Sequence, residues 1–260
     1  GGIFFVSTSL SVLKNLLISN NTGSYGAGIC CYTFYSNPTF INATISGNNG
    51  VGVYLVNGNP TLMNSILWGN SDEELYSEQE GELTATYCDI EGGYTGTGNI
   101  DSDPLFVDAA NGDYHLADWS PCIGAGTATD AHEPIPQGSN PDMGAYENAL
   151  GTPAEHIVIT NDSLVVLEDS SSTIDFLDND LILNITSFTL AIVDSADNGT
   201  IALVGDSALT YTPAENFFGY DTLSYRVFSS EAADTGLVLI TVTAVNDAPV
   251  LASIDAQTTN

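Results

Sequence analysis

Aromatic side chains recur in the first part of the sequence at a spacing that would let them contact a sugar. The segments GGIFF (1–5), AGICC (27–31) and VGVYL (51–55) align on a glycine, and their apolar residues alternate with the two-residue period of a strand. In this alignment Phe4, Cys30 and Tyr54 share one outward face. Aromatic rings in such a column can stack on sugar rings, so Phe4 and Tyr54 are candidate glycan contacts. Alternatively, the column packs under a loop from the cap described below.

Carboxylates are the second group of side chains that could bind a ligand or take part in chemistry. The chain has 33 acidic residues against two cations, Lys14 and Arg226, and a formal net charge of -31, yet residues 1–71 contain no Asp or Glu. Nucleic acid is excluded as a partner because its affinity comes mainly from Lys and Arg on phosphates. An anionic membrane surface is disfavoured for the same reason. The carboxylates are therefore either screened by salt, as in a salt-adapted protein, or bind metal ions.

The groups that polysaccharide cleavage requires are sparse in the repeats. A lyase typically needs a Lys or Arg base with calcium-binding acids, and a glycosidase needs two close carboxylates. The repeats have no carboxylate and a single cation, Lys14. His115, His132 and His156 stand apart from any nucleophile motif. We expect no enzyme activity in this segment, and the question is open for the full-length protein.

The four cysteines do not define a disulfide framework. Cys30 and Cys31 are adjacent and point to opposite faces, which leaves Cys88 and Cys122 as a pair that the sequence neither requires nor excludes. The chain has no Cys-x-x-Cys metal motif.

Short repeated strands are the elements that must position these side chains. The segment NPTFINATISGN (37–48) returns as NPTLMNSILWGN (59–70), and LKNLLIS (13–19) is a looser copy. Repeats of 20 to 30 residues with short alternating apolar runs indicate a solenoid whose coils bury their faces by stacking. The predicted columns are Leu13, Phe40 and Leu62, and Ile18, Ile45 and Leu67. Strands this short, broken by Asn, Gly and Pro, favour a parallel β-helix.

Asn15, Asn42 and Asn64 stand at the same place in the three copies. We interpret them as an asparagine ladder at a turn, with side-chain amides bonded along the stack.

After Asn70 the repeats degrade, and aromatic and apolar residues follow that are typical of a cap closing the open end of a solenoid. The anchors are Phe106, Tyr114, Leu116, Trp119, Ile123 and Tyr146. For the acids of this segment, Asp101, Asp103 and Asp108, we favour turn formation over metal binding.

The motifs NPTLMNSILWGN, YCDIEGG, GNIDSDPLFVD, GDYHLADWSPCIGAGT and DMGAYE occur in this order. Together they resemble the C-terminal coils and cap of right-handed parallel β-helix proteins of the choice-of-anchor family, which are pectate-lyase-like secreted bacterial proteins. The resemblance covers residues 1–149.

Residues 150–156 are predicted to be a linker, because the composition shifts to small residues and Pro. Alternating strands at sandwich spacing follow over 157–249. The segments VLED, LDND, LTYTPAENFFGYDTLSYRV and VNDAP resemble the cadherin-like tandem repeats of bacterial surface proteins. Residues 250–260 would begin a further repeat.

The cadherin-like resemblance implies calcium at the module junctions, through oxygen ligands from several short acidic motifs. The residues that match the family's motifs are Glu168, Asp169, Asp178, Asn179, Asp180, Asn246 and Asp247. The Asp-x-Asp-Gly-Asp run that many relatives have after LxND is absent here, which places the site at that end in doubt. The same residues would alternatively cap turns.

The sequence thus predicts an all-β chain: the end and cap of a right-handed parallel β-helix, followed by an Ig/cadherin-like β-sandwich. We expect an extracellular or cell-surface bacterial protein with an adhesive or structural role, a calcium-stiffened stalk, and extracellular polysaccharide or other surface proteins as partners. No run approaches the ~20 apolar residues of a membrane span, so no membrane insertion is expected in this segment. The alternative is part of a polysaccharide lyase or hydrolase with its active site in coils N-terminal to this sequence.

Overall fold

The structure is a computed structural model that describes residues 2–128 and 138–246. By internal contacts the chain divides into two compact units, residues 1–154 and 155–260. The described residues form β-strands and one short 3-10 helix, which confirms the all-β prediction. None of the helical structure in these ranges has the length and hydrophobicity that a membrane crossing requires.

The first unit consists of short strands joined by turns. In the described part they are β1 (Ile3–Phe5), β2 (Val12–Ser19), β3 (Ile29–Cys31), β4 (Thr39–Ser46), β5 (Val53–Val56), β6 (Thr61–Met63), β7 (Ile66–Trp68), β8 (Leu75–Glu78), β9 (Thr84–Thr86), β10 (Asp89–Ile90), β11 (Phe106–Asp108) and β12 (Asp113–Leu116).

Strands β1 to β10 wind into a solenoid with two parallel sheets. The first sheet has the order β1-β3-β5-β8, and the second stacks β2 on β4, with β6 and β7 and then β9 and β10 beyond β4. Each coil contributes one strand to the first sheet and one strand, or two shorter ones, to the second. The predicted parallel β-helix is confirmed.

The core of the solenoid is formed by the columns that the sequence predicts. Phe40 pairs with Leu13 and Leu62, and Ile45 with Ile18 and Leu67. Phe40 and Ile45 are fully buried, and so are Leu62 and Leu67. Each such side chain contributes roughly 1.5–3 kcal/mol by leaving water, so stacking, and not any single coil, stabilises the unit.

The glycine on which the repeats align permits the coils to approach closely. A Cβ at Gly28 would lie 2.5 Å from the carbonyl oxygen of Gly52 and 2.6 Å from Ile45 Cγ2. Only a residue without a side chain fits there, which explains why this position recurs as glycine.

The predicted asparagine column makes one rung of the expected ladder. Asn15, Asn42 and Asn64 all have positive φ, and Asn42 Nδ2 donates to Asn15 Oδ1 at 3.1 Å. Asn64 instead donates to the Thr127 carbonyl and accepts from the Thr127 amide, at 3.0 and 2.9 Å. The third member therefore binds the cap and leaves the ladder.

A more complete ladder lies at the end of each repeat, where the sequence reads Gly-Asn or Asn-Asn. Asn48 Oδ1 accepts from the Asn21 backbone and side chain, both at 3.1 Å. Asn48 Nδ2 in turn donates to Asn70 Oδ1 at 2.9 Å. The Gly-Asn or Asn-Asn ending that the repeats share is the sequence signal for this ladder. The prediction did not use that signal.

The cap anchors pack against the side of the solenoid and not on its open end, contrary to the prediction. Leu116 and Ile123 form a cluster with Ile66 on the outer face of the second sheet, and the Tyr114 hydroxyl donates to the Ser46 carbonyl at 3.4 Å. The core beyond the last coil, formed by β8, β9 and β10, is instead covered by the segment at Tyr94, whose ring packs on it. A sheet strand buried on both faces needs such a side cover.

The second unit is a β-sandwich. Its strands in the described part are β13 (His156–Val158), β14 (Asp162–Leu167), β15 (Ser172–Asp175), β16 (Leu181–Leu183), β17 (Thr189–Asp194), β18 (Gly199–Val204), β19 (Ala208–Pro213), β20 (Gly219–Phe228) and β21 (Ala233–Thr243).

Two sheets face each other, with the orders β14-β21-β20-β17 and β15-β19-β18, and β13 pairs with β16 beside them. Residues alternate between buried and exposed along β14 and β21, as expected for strands with one face on the core. Strand β14 runs parallel to β21, whereas the other pairs of its sheet are antiparallel. The core includes Phe176, Tyr211 and Tyr225.

All four cysteines are free thiols, so Cys88 and Cys122 do not form the disulfide that the sequence left open. The alternation of the chain explains this result. Cys88 points into the solenoid core, and the next residue, Asp89, faces the cap, where its Oδ2 accepts from Cys122 Sγ at 3.1 Å.

Candidate functional sites

The outer face of the first sheet carries the predicted aromatic column. The strand register places Phe4 beside Cys30, Cys30 beside Tyr54, and Tyr54 beside Tyr76. Phe4 is 54% exposed and Tyr76 is 39% exposed, whereas Tyr54 is only 5% exposed. The column therefore exists, but its two candidate glycan contacts differ in accessibility.

Tyr54 is covered by rings of the coils themselves. The Tyr25 ring packs edge-on against it at 5.5 Å between centroids, and the Tyr76 ring lies at 5.1 Å. Burial, with a smaller contribution from the neighbouring Glu78 carboxylate, raises the pKa of the Tyr54 hydroxyl. Because its ring faces its neighbours, Tyr54 supports the surface from below and offers no ring face to a ligand.

Tyr32 extends the exposed surface. It is 52% exposed and its ring lies 6.0 Å from the Phe4 ring. We call the five residues of this surface the aromatic face: Phe4, Tyr25, Tyr32, Tyr54 and Tyr76.

Sequence reasoning missed three members of the aromatic face. Tyr32 is two residues after Cys30, so strand alternation places it on the same side, and Tyr76 follows Leu75, which continues the Val53 column. Both were within reach of the pattern. Tyr25 lies in a glycine-rich turn, and no periodic signal indicates where its ring packs.

The candidate calcium ligands separate into two groups at opposite ends of β14. Glu168 and Asp169 follow β14, and Asn246 follows β21, whose Thr243 pairs with Leu167. The buried Glu168 carboxylate accepts from the Val245 amide. Asp247, the last predicted ligand, lies outside the described residues.

The other group, Asp178, Asn179 and Asp180, precedes β16. Asp180 Oδ1 accepts from the Thr160 amide, just before β14, at 2.8 Å. The six residues of β14 span about 17 Å, so the two groups cannot share one ion. Asp178 and Asn179 are exposed, and Asp180 is partly buried.

Asp180 also belongs to a compact cluster around the Tyr225 hydroxyl. The Tyr225 oxygen lies 2.9 Å from the Phe176 carbonyl oxygen, 3.1 Å from Asp162 Oδ2 and 3.4 Å from Asp180 Oδ2. Burial is the main cause that raises the pKa of both carboxyls. Asp162 matches no family motif, so sequence reasoning had no signal for it.

Each group presents the hard oxygens that Ca²⁺ prefers, but fewer than the six to eight that it takes. Within residues 2–128 and 138–246, no three His, Cys, Asp or Glu residues are arranged to hold a metal ion. A Ca²⁺ site at either end would need further oxygen ligands, from protein or water.

The acids of the cap bind local backbone, in agreement with the predicted turns. Asp101 Oδ1 accepts from the Gly92 amide at 3.1 Å, and Asp103 Oδ1 from the Leu105 amide at 2.9 Å. Asp108 caps the 3-10 helix Ala109–Asn111.

The two histidines that the structure describes belong to different units. His115 stacks on Tyr146 at 4.2 Å between centroids and contacts Asp113 at 2.7 Å, on the surface of the cap. His156 is in β13, and His132 lies outside the described residues.

Comparison with known proteins places family models on both units. Residues 1–108 match the model described as a right handed beta helix region, and residues 153–241 match a bacterial Ig domain. No curated protein matches the chain.

Among solved structures, an endo-fucoidan hydrolase from glycoside hydrolase family 107 is similar over 35% of this chain, with 17% sequence identity and a TM-score of 0.28. The similar region spans 14% of the hydrolase chain.

Proposed function

We propose that this chain, a right-handed β-helix region followed by a bacterial Ig-like domain, is a carbohydrate-contacting and structural segment of an extracellular adhesive protein. Both kinds of domain are typical of extracellular and surface proteins. In this proposal the β-helix contacts glycan and the Ig-like domain acts as a stalk.

The aromatic face is the observation that carries the proposal. Three of its rings, those of Phe4, Tyr25 and Tyr32, are more than half exposed, and Tyr76 adds a fourth at the far side of Tyr54. Exposed apolar surface is costly in water unless a partner covers it, and aromatic rings pack well on the apolar faces of sugars. The buried Tyr54 and Cys30 hold the exposed rings in place from below.

In this proposal the segment binds glycan and does not cleave it. Residues 1–71 have no carboxylate to act as acid or base, and their one cation, Lys14, lies on β2 in the other sheet. An adhesive role needs only the stacking surface and a stalk.

Calcium stiffening of the stalk is part of the same proposal. The two groups of oxygen ligands lie at the two ends of β14, and the cadherin-like resemblance implies calcium where such modules join. Calcium held between modules would limit bending there, in keeping with the implied cadherin-like arrangement.

Sedimentation with insoluble polysaccharides tests the glycan contact. The full chain and its Tyr32→Ala variant are mixed with a panel of insoluble glycans, and Tyr220→Ala serves as control because Tyr220 is 83% exposed on the Ig-like unit. At least one glycan should retain the wild type, and loss of one stacking ring, worth about 1.4 kcal/mol, should weaken binding about tenfold. Equal retention of both variants, or no retention of the wild type, would refute the proposal.

A further inference from the structure

We infer that the aromatic face takes an uncharged polysaccharide and discriminates against polyanionic ones. The inference rests on the proposed function and adds the chemical class of the ligand.

The surface offers stacking and neutral hydrogen bonds only. Its exposed members are one phenylalanine and three tyrosines, whose hydroxyls donate and accept without charge. The chain has two cations, and neither belongs to this face, because Lys14 lies on β2 and Arg226 on β20. Sulfate and uronate groups would therefore find no cationic partner, which their tight recognition normally requires.

The charge around the face acts in the same direction. The formal net charge of the chain is -31, and β8 brings the Glu78 carboxylate to one edge of the face, beside Tyr54. A polyanion would be repelled over about 10 Å at 0.1 M salt. A neutral chain meets the rings without this repulsion.

A polycation is the third class, and its behaviour would differ. It would bind the acidic surface as a whole, because residues 72–149 contain 17 acidic residues and no Lys or Arg. Such binding would be erased by salt and would not depend on the tyrosines.

Affinity electrophoresis with charge-matched glycans tests the inference. The gels contain hydroxyethylcellulose (neutral), carboxymethylcellulose (anionic) or a cationic cellulose ether, and the same three forms of dextran, at 0.05 and 0.5 M NaCl. The full chain is compared with Tyr32→Ala, with Tyr32→Ala/Tyr76→Ala and with the Tyr220→Ala control. Thermal melting of each variant shows that it is folded, and the single variant serves if the double one is not.

We expect at least one neutral glycan to retard the wild type, with about tenfold weaker binding for Tyr32→Ala and no change for Tyr220→Ala. Its anionic form should bind at least tenfold more weakly at 0.05 M NaCl, and the difference should narrow at 0.5 M NaCl. Tyrosine-dependent binding of the anionic form at equal or higher affinity would overturn the inference and leave the proposed function standing. If no glycan binds through the tyrosines, or if binding is only polycationic and salt-sensitive, both fail.

Discussion

A single hydroxyl hydrogen serves three oxygen atoms in the core of the second unit. The Tyr225 hydroxyl faces the Phe176 carbonyl and one carboxylate oxygen each from Asp162 and Asp180. The hydroxyl can donate to one acceptor at a time. Burial raises the pKa of both carboxyls, whereas the hydrogen bond from Tyr225 favours their charged form and lowers it.

Removal of that hydroxyl should destabilise the second unit. Tyr225→Phe leaves the buried acceptors without their donor, which we expect to cost about 2 kcal/mol in unfolding free energy at pH 7. The cost should be smaller at pH 4, where protonated carboxyls supply their own hydrogens. Urea unfolding measures it, with the exposed Tyr220→Phe as control; equal stability of the two variants at pH 7 would contradict the account.

Asp89 should give the first unit a measurable pH dependence. Burial raises the pKa of its carboxyl from 3.8 to about 6, so the folded state holds this proton more tightly than the unfolded state. Its contribution to stability is therefore present below about pH 4 and is lost as the pH rises through about 6.

Asp89→Asn replaces the acid by a neutral isostere and should stabilise the unit at pH 8 by about 2 kcal/mol, with little effect at pH 4. The exposed Glu80→Gln changes the net charge equally and serves as control. The unfolding free energy of both variants is measured by urea unfolding between pH 4 and pH 8. If the two variants show the same dependence on pH, the effect is only one of net charge.

At the scale of elements, the sequence predicts which residues of each coil face the core. It does not predict which loops pack on the outer faces of the coils. The columns through Phe40 and Ile45 follow from alternation and a repeat of 20 to 30 residues, both of which are local in sequence. The packing of Tyr25 over Tyr54 and of the cap on Ile66 depends on irregular loops, which have no period.

The same limit applies to the asparagines and the acids. The repeat aligns Asn64 with Asn42, but its bonds to Thr127 come from a segment 63 residues away. The short acidic motifs are visible in the sequence, yet only the contact of Asp180 with Thr160, just before β14, shows that Asp180 and Glu168 lie at opposite ends of that strand.

The buried ladder through Asn21, Asn48 and Asn70 should contribute more to stability than an exposed asparagine contact does. Asn48 is buried, accepts from Asn21, and donates to Ile18 and Asn70. Asn48→Ala leaves several buried groups without partners and should cost about 3 kcal/mol.

Asn59→Ala removes an exposed side chain whose Oδ1 accepts from the Glu82 amide at 2.8 Å, and it should cost less than about 1 kcal/mol. Chemical unfolding of the two variants gives the comparison. An equal loss would mean that the buried ladder adds no more than an ordinary turn contact.

At the scale of the whole molecule, charge and aromatic surface are segregated along the chain. Residues 1–71 have no acidic residue, although the chain has 33, and this part carries most of the aromatic face. The segregation would leave most of the proposed contact surface without carboxylates, while the remaining charge maintains solubility in salt.

Calcium binding should survive salt if the two ends of β14 hold ions. Calorimetric titration of the full chain in about 0.5 M NaCl should give saturable heat, because salt screens nonspecific attraction. Asp169→Asn and Asp178→Asn should each remove one site, whereas Asp206→Asn, an exposed acid between β18 and β19, should not. Weak heat that salt erases would leave the acidity as adaptation to salt.

Hydroxyl-radical footprinting of the full chain with its bound neutral glycan tests the central claim most directly. Oxidation of Tyr25, Tyr32 and Tyr76 should fall at least several-fold on binding, while that of Tyr220 stays constant. Protection elsewhere with the three tyrosines unchanged would contradict the assignment of the aromatic face as the contact surface.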